Sequence, residues 1–475
     1  MNKVTGFKCL VLALALATPS LSNATSLLEV YQQALQSDPL IHEAEARRLA
    51  ALEALPQARS ALFPQINANG NWETRNGSGT TLETDSGGGI APVPSESTTE
   101  TKGWNIGLRQ TLFRWDQIVG LKQAGKIVAK AEADREAAQQ DLIIRVSARY
   151  FEVLAAEDRL TSIHADRLAI ARQLEQAKQR FEVGLIAITG VQESQAAYDI
   201  SVASEIQAKR ELATARNFLR EITGAYVSTL SAPRENFPLP NPNPADQQSW
   251  IDLAMGQNLV LVSSRLDEQI ARYEIAFRRT GHYPTVDFVA AYGDSDSTIT
   301  DQIRNGVAIP DFPTLNRQGD SIAVEVSFPI FSGGRTSSRV REAVYLHRAS
   351  REQLQRVTRE TERATRDAYL GVLSEISRVK ALKQAVASSR TALEATQAGF
   401  DVGTRTIVDV LNSQRALYVA ITNYYQSRYV YIGNVLLLKQ AAGSLQIQDL
   451  EQVDRWLEDR VPPEKAIAEE EENAS

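Results

Sequence analysis

The chain has 475 residues, with 51 Lys and Arg against 58 Asp and Glu, and four His. The resulting net charge of −7 excludes a basic nucleic-acid binder, and the 43 % hydrophobic content excludes an extended polar chain. A single cysteine excludes a disulfide scaffold.

Residues 1–24 read as a secretory signal peptide. Lys3 and Lys8 form a basic start, Cys9 to Ala17 an apolar run, and Ser22-Asn23-Ala24 a small-residue cleavage site. The one cysteine, Cys9, lies within it, and its Phe7-Lys8 context predicts no lipid anchor. Losing Lys3 and Lys8 takes 51 basic residues to 49 and the net charge from −7 to −9. No later segment has the ~18 consecutive apolar residues of a membrane helix.

The rest of the chain is written twice. Arg180-Phe181-Glu182-Val183-Gly184 returns as Gly399-Phe400-Asp401-Val402-Gly403, 219 residues on. The same shift pairs Tyr150 with Tyr369, Leu174 with Leu393, Gln195 with Gln414 and Gly224 with Gly443. A long internal repeat decides the architecture before any local reading does. The expected division is a first repeat at 25–224, a linking segment at 225–248, a second repeat at 249–443 and a C-terminal segment with an acidic tail at 444–475.

In the first repeat, Ile66, Ala68, Gly70 and Trp72 alternate with Gln65, Asn67, Asn69, Asn71 and Glu73, and Trp104, Ile106 and Leu108 alternate with Asn105, Gly107 and Arg109. In the second, Val286, Phe288, Ala290 and Tyr292 form one face, and Ile322, Val324, Val326 and Phe328 another. Strict alternation predicts four strands, two per repeat. Polar stretches from Asn76 to Thr101 and from Asp294 to Gly319 read as long loops joining each pair. The dyad pattern suits a lipid-facing barrel wall or a soluble hairpin with one buried face. Four strands cannot close a barrel and open edges cannot face lipid, so a barrel requires several chains.

No proline lies between Pro94 and Pro233 or between Pro329 and Pro462. Proline inside a helix costs about 3 kcal/mol, so these gaps permit very long helices. The tract from Trp115 to Val183 would extend roughly 100 Å as one helix. Val379, Leu382, Val386, Ser389, Leu393, Thr396 and Phe400 step by three and four, a coiled-coil seam. Gly184 and Gly403 interrupt the helical pattern, which restarts within a few residues, so each repeat carries a long helical hairpin with its tip at a Val-Gly pair.

Val402-Gly403-Thr404-Arg405-Thr406-Ile407-Val408-Asp409-Val410-Leu411, its counterpart Val183 to Thr189, the start Val30-Tyr31-Gln32-Gln33-Ala34, and Phe63-Pro64 with Tyr283-Pro284 together resemble the TolC-type outer-membrane efflux channels, over residues 25 to 450. The resemblance implies a mainly α mixed fold. It implies a homotrimer in outer-membrane lipid, its twelve-stranded barrel built from four strands per chain. It further implies a periplasmic tunnel of coiled-coil helices and an equatorial collar built partly from Val227 to Gln248 and the C-terminal segment. The implied role is a passive exit duct for drugs, bile-salt-like compounds or secreted proteins. A periplasmic adaptor and an inner-membrane pump of RND, ABC or MFS type would engage its closed end.

Carried onto this sequence, the resemblance puts Asp409 at the pore constriction, with Asn412 where the family has a second aspartate. A latch would involve Arg405 and Thr189. Its tyrosine position is Phe400 and its aspartate position Gly190, so that hydrogen bond is lost here and Glu193 is a substitute partner for Arg405. Gly184, Leu185, Gly403 and Thr404 would meet the adaptor, and Trp72 and Trp104 would sit in an interfacial aromatic belt. From the residues alone, Asp409 is equally a solvated helix charge paired with Arg405, Phe400 a seam residue, and the glycines plain turn chemistry. The four histidines have no metal-ligand spacing and Ser332-Gly333-Gly334-Arg335 lacks a Walker lysine, so no catalytic, metal or cofactor site is expected. The alternative reading is a periplasmic coiled-coil scaffold or adhesion protein without a pore.

Overall fold

The computed structural model describes residues 24–84, 88–227, 229–304 and 306–460. The signal-peptide reading, apart from Ala24, and the acidic tail lie outside the described residues.

The first repeat opens with α1 (Leu27–Ser37), α2 (Pro39–Leu52) and α3 (Ala54–Ser60), followed by β1 (Gln65–Thr84) and β2 (Ile90–Phe113). Then come α4 (Trp115–Glu182), α5 (Ile188–Thr223) and the short strand β3 (Ala232–Pro233). The second repeat follows the same plan: α6 (Gln247–Gln257), α7 (Leu259–Arg279), a 3-10 turn (Thr280–His282), β4 (Thr285–Arg304), β5 (Val307–Ala308) and β6 (Phe312–Ser327). It continues with α8 (Arg335–Asp401) and α9 (Ile407–Ala441), and the chain closes with α10 (Ile447–Asp454) and β7 (Leu457–Glu458). Helices α4 and α8 are 68 and 67 residues long, as the proline-free gaps predict.

The chain divides into two compact units, and both repeats contribute to each. One holds the described residues up to His42, Ala138–Asn258 and Glu362 onward. Its core gathers Leu27, Tyr31, Leu142, Tyr150, Leu154, Leu212, Tyr369, Tyr431, Ile432 and Leu450. The duplication is visible in its hydrogen bonds. The Tyr150 hydroxyl donates to the Ser231 carbonyl at 2.6 Å, and its counterpart Tyr369 donates to the Ala245 carbonyl. Both tyrosines thereby tie their long helices to the 225–248 segment that links the repeats. Gly224 and Gly443 both end their helices at positive φ, 73° and 75°. A Cβ on Gly443 would lie 2.3 Å from the Gln257 carbonyl oxygen, so the backbones meet there as only glycine permits.

The other unit, Glu43–Ala137 with Leu259–Thr361, carries an antiparallel sheet in the order β1-β2-β4-β6, with β5 also pairing β4. The register aligns Ile66 with Leu108, Leu108 with Ala290 and Ala290 with Ile322, one apolar row across four strands. The opposite face aligns Asn67 with Gly107, Gly107 with Ala291 and Ala291 with Ser321. One face is therefore apolar and exposed, with Ile66, Trp72, Ile106, Ile322, Val324 and Val326 all open, and the other is small and polar. Among the described residues β1 pairs only with β2, and β6 only with β4, so both outer edges are open.

Most of the described residues in the polar stretches expected as loops are strand instead. β1 and β2 pair from Gln65↔Arg109 out to Thr84↔Ile90, and β4 continues to Arg304. Both faces are polar along this extension, so no alternation marks it, and the ladder is carried by backbone hydrogen bonds and by bridges such as Arg304 to Glu83.

Candidate functional site

The ends of the two helical hairpins are built from turn chemistry. In the first, the Leu185 amide donates to the Arg180 carbonyl at 2.8 Å and the Gly184 amide to Phe181 at 2.9 Å. In the second, Thr404 donates to Gly399 at 2.8 Å and Gly403 to Phe400 at 3.1 Å. This is the Schellman pattern, in which the left-handed residue must accept positive φ; Gly184 and Gly403 have φ of 77° and 78°. Leu185 is 73 % exposed at the tip, and Thr404 is exposed beside its own turn.

The second hairpin restarts with a capping box. Asp409 Oδ2 accepts from the Thr406 amide and the Thr406 hydroxyl, each at 2.9 Å, while the Asp409 amide donates to Thr406 Oγ1 at 3.2 Å. Asp409 is thus held by Thr406, where the sequence suggested pairing with Arg405. The Thr406 backbone hydrogen bond, then its side chain, hold the Asp409 carboxyl below its usual range, with Arg405 a lesser influence. Asn412, one turn on, is exposed. The first hairpin lacks this box: Ala187 replaces Thr406 and Gly190 replaces Asp409 at the repeat spacing.

The expected latch residues are only partly assembled within one chain. Thr189, Glu193 and Arg405 are all exposed, and among the described residues Arg405 makes no ion pair with Glu193. Gly190 lies against the second hairpin: a Cβ there would stand 3.8 Å from Ile407 Cγ2. Phe400 is 7 % exposed and packs with Ile407 and Val410, as a seam residue should.

The contacts that join the hairpins involve residues the sequence did not single out. Arg180, at the end of α4, reaches Asp401 Oδ1 at 2.9 Å, and its guanidinium lies 4.5 Å from the centre of the Phe400 ring. Higher up, Gln173 Nε2 donates to Gln414 Oε1 at 2.8 Å, and Gln414 Nε2 donates to Asp166 Oδ1 at 2.9 Å. Burial pushes the Asp166 carboxyl above its usual range, and the Gln414 hydrogen bond partly offsets this. Such partners lie more than 220 residues apart, beyond the reach of local spacing rules.

On the sheet, Trp72 and Trp104 lie at one end of the apolar face. Trp104 meets Tyr292 edge-on at 5.7 Å, and Trp72 donates to Glu100 at 2.7 Å. The nine residue steps from Phe63, just ahead of β1, to Trp72 cover about 30 Å of extended chain. At a tilt of about 40° that is roughly 23 Å of height, close to the ~25 Å apolar band of an outer-membrane barrel.

A sequence profile described as outer membrane efflux protein matches residues 30–225 and 250–444, one match per repeat. The chain belongs to that family. It is similar to Outer membrane protein TolC of Vibrio cholerae, 36 % identical over 455 residues that cover 95 % of this chain and 98 % of the relative. The TolC of Escherichia coli K12 is 36 % identical over 432 residues, covering 91 % and 85 %. The alkaline protease secretion protein AprF of Pseudomonas aeruginosa is 28 % identical over 434 residues, covering 90 % and 87 %. Among solved structures, the Campylobacter jejuni CmeC outer membrane channel superposes with a TM-score of 0.69 at 15 % identity, covering 96 % of this chain and 98 % of that one. This family member is an outer-membrane exit duct with a mixed, mainly α fold. Its family consists of channels rather than enzymes.

Proposed function

We propose that three copies of this chain form one passive duct, opened at the hairpin ends when an adaptor and a pump engage them. The observation that carries this is the sheet: an exposed apolar face bounded by two unpaired edges, β1 and β6. Lipid satisfies the face, and pairing β6 of one chain with β1 of the next removes every edge in a twelve-stranded cylinder. TolC-type and protease-secretion relatives support service in both efflux and type I secretion.

At the hairpin ends, Asp409 from each chain would form the constriction ring. The Thr406 hydrogen bonds hold that carboxyl below its usual range, and three such charges would favour cations in the aperture. Asn412 leaves the ring half the charge of a double-aspartate constriction. The closed state is held within each chain by the Arg180 clamp on Phe400 and Asp401, and between chains by Arg405 reaching Glu193 or Thr189 of the neighbouring hairpin. The exposed tips at Gly184-Leu185 and Gly403-Thr404 offer the adaptor its contact.

The test is fractionation and conductance. The mature protein should partition with outer membranes, run as a trimer in mild detergent and conduct ions in a planar bilayer. A water-soluble monomer without conductance would support the scaffold reading instead.

A further inference from the structure

We propose that the roots of the strands form a binding pocket for the phosphate of an anionic phospholipid in the periplasmic leaflet. A cleft of about 370 Å³ opens where β2 enters α4, α7 turns into β4 and β6 leads to α8. Arg114, Arg278 and Arg339 line it, with Thr280 and Thr336 hydroxyls beside them. Their charge is poorly answered. Arg278 pairs with Glu274 at 2.7 Å, but the nearest carboxylate oxygen to Arg114 Nε is that of Asp116 at 3.8 Å. Arg114 Nε is shielded from solvent without a hydrogen-bond acceptor, and among the described residues Arg339 has no ion pair. A planar guanidinium fork suits two oxygens of one phosphate.

The surroundings point to a lipid as the source of that phosphate. The chain as a whole is acidic, yet the strand roots carry Arg59, Arg109, Arg114, Arg278, Arg279, Arg335, Arg339 and Arg341 against Asp116, Glu274, Asp287, Glu325 and Glu342, with Arg109 already paired to Asp287 and Glu325. Directly after β6, Ile330 and Phe331 are 90 % and 88 % exposed, and Phe328 is also open. Exposed apolar side chains beside arginines whose charge is only partly answered are what an acyl chain and its headgroup require together. The inference rests on the strand roots being the periplasmic edge of the membrane band.

The experiment compares trimers in nanodiscs of phosphatidylcholine alone and of phosphatidylcholine with phosphatidylglycerol, reading the trimer's heat-dissociation midpoint and the retained lipid by native mass spectrometry. Phosphatidylglycerol should raise the midpoint of the wild type and of the remote control Arg356→Gln, but not of Arg114→Gln/Arg339→Gln. Each arginine lost should lower lipid retention about fivefold. If the double variant fails to assemble, Arg339→Gln alone carries the test. A double variant that responds like wild type overturns the proposal, as does inorganic phosphate raising the midpoint equally in phosphatidylcholine discs. A wild-type trimer that conducts but shows no lipid preference sinks the pocket and leaves the duct standing.

Discussion

Replacing Arg180 by Gln tests the gate at its smallest part. The ion pair to Asp401 is exposed on the aspartate side, and such pairs contribute about 0.2–1 kcal/mol. The cation–π contact with Phe400 adds roughly 0.5–1 kcal/mol. Losing both costs the closed arrangement about 1 kcal/mol or slightly more per chain. If three chains release together, the total is roughly 3–4 kcal/mol, or two to three decades in the closed-to-open ratio. The assay is single-channel conductance in planar bilayers, with leakage of a large antibiotic into cells as the second readout. Both should rise in Arg180→Gln, less in Arg180→Lys, which keeps the charge but loses the flat guanidinium. Adding Asp401→Asn to Arg180→Gln should change little, because Arg180→Gln already breaks the ion pair, whereas Asp401→Asn alone should have the smaller effect because it leaves the Phe400 contact in place. An intact trimer whose conductance and leakage match the wild type would refute the clamp.

The boundary between chains gives a second prediction: Glu193→Gln should raise conductance if Arg405 of a neighbouring hairpin depends on it, and unchanged conductance counts against that pairing. Thr406→Ala should move the titration of the aperture upward. The Asp409 carboxyl is depressed by its Thr406 hydrogen bonds, so its charge is present above the ordinary carboxylate range and is lost only as pH falls through the lowered value. Cation preference, read from reversal potentials, should therefore vanish at higher pH in the variant than in the wild type. Finally, Gly443→Ala should lower the trimer's heat stability far more than Gly224→Ala. The two share positive φ, but a Cβ at 443 would strike Gln257 backbone at 2.3 Å, whereas at 224 it meets the Ser37 side chain at 3.3 Å.

The long elements were legible because their causes are local. Proline-free gaps gave α4 and α8, and glycine at positive φ gave the hairpin turns. Alternation gave the lipid-facing rows from Ile66 to Trp72 and from Ile322 to Phe328. Where both faces are wet the same rule is silent, so the paired arms of β1 and β2 between Asn76 and Thr101 looked like loop. The threonine run Thr98-Thr99, resumed at Thr101, was the available hint, since β-branched residues favour strand. The capping box at Thr406 and Asp409 also follows a local sequence rule, and it explains the aspartate without any pore. The Gln173–Gln414–Asp166 bridge obeys no such rule, because it forms only after two distant helices have packed.

The repeat itself shows where the ring should be weakest. Phe181 and Phe400 are equivalent positions, yet Phe181 is exposed and Phe400 is buried. Phe400 packs with Ile407 and Val410 and is also covered by Arg180 of copy one, whereas copy two has Gly399 at the equivalent place, with no side chain to offer Phe181 in return. Gly399 is itself constrained, since a Cβ would lie 2.8 Å from Arg405 Cγ. In a ring where the two kinds of hairpin alternate, the boundary within a chain carries the guanidinium clamp and the boundary between chains has no equivalent. Arg405, packed over Gly399 and without an ion pair in its own chain among the described residues, is then positioned to replace it at that second boundary. Opening should begin between chains and spread to the Arg180 contacts, so Glu193→Gln should lower the threshold for partial conductance and Arg180→Gln should be needed for the full open level.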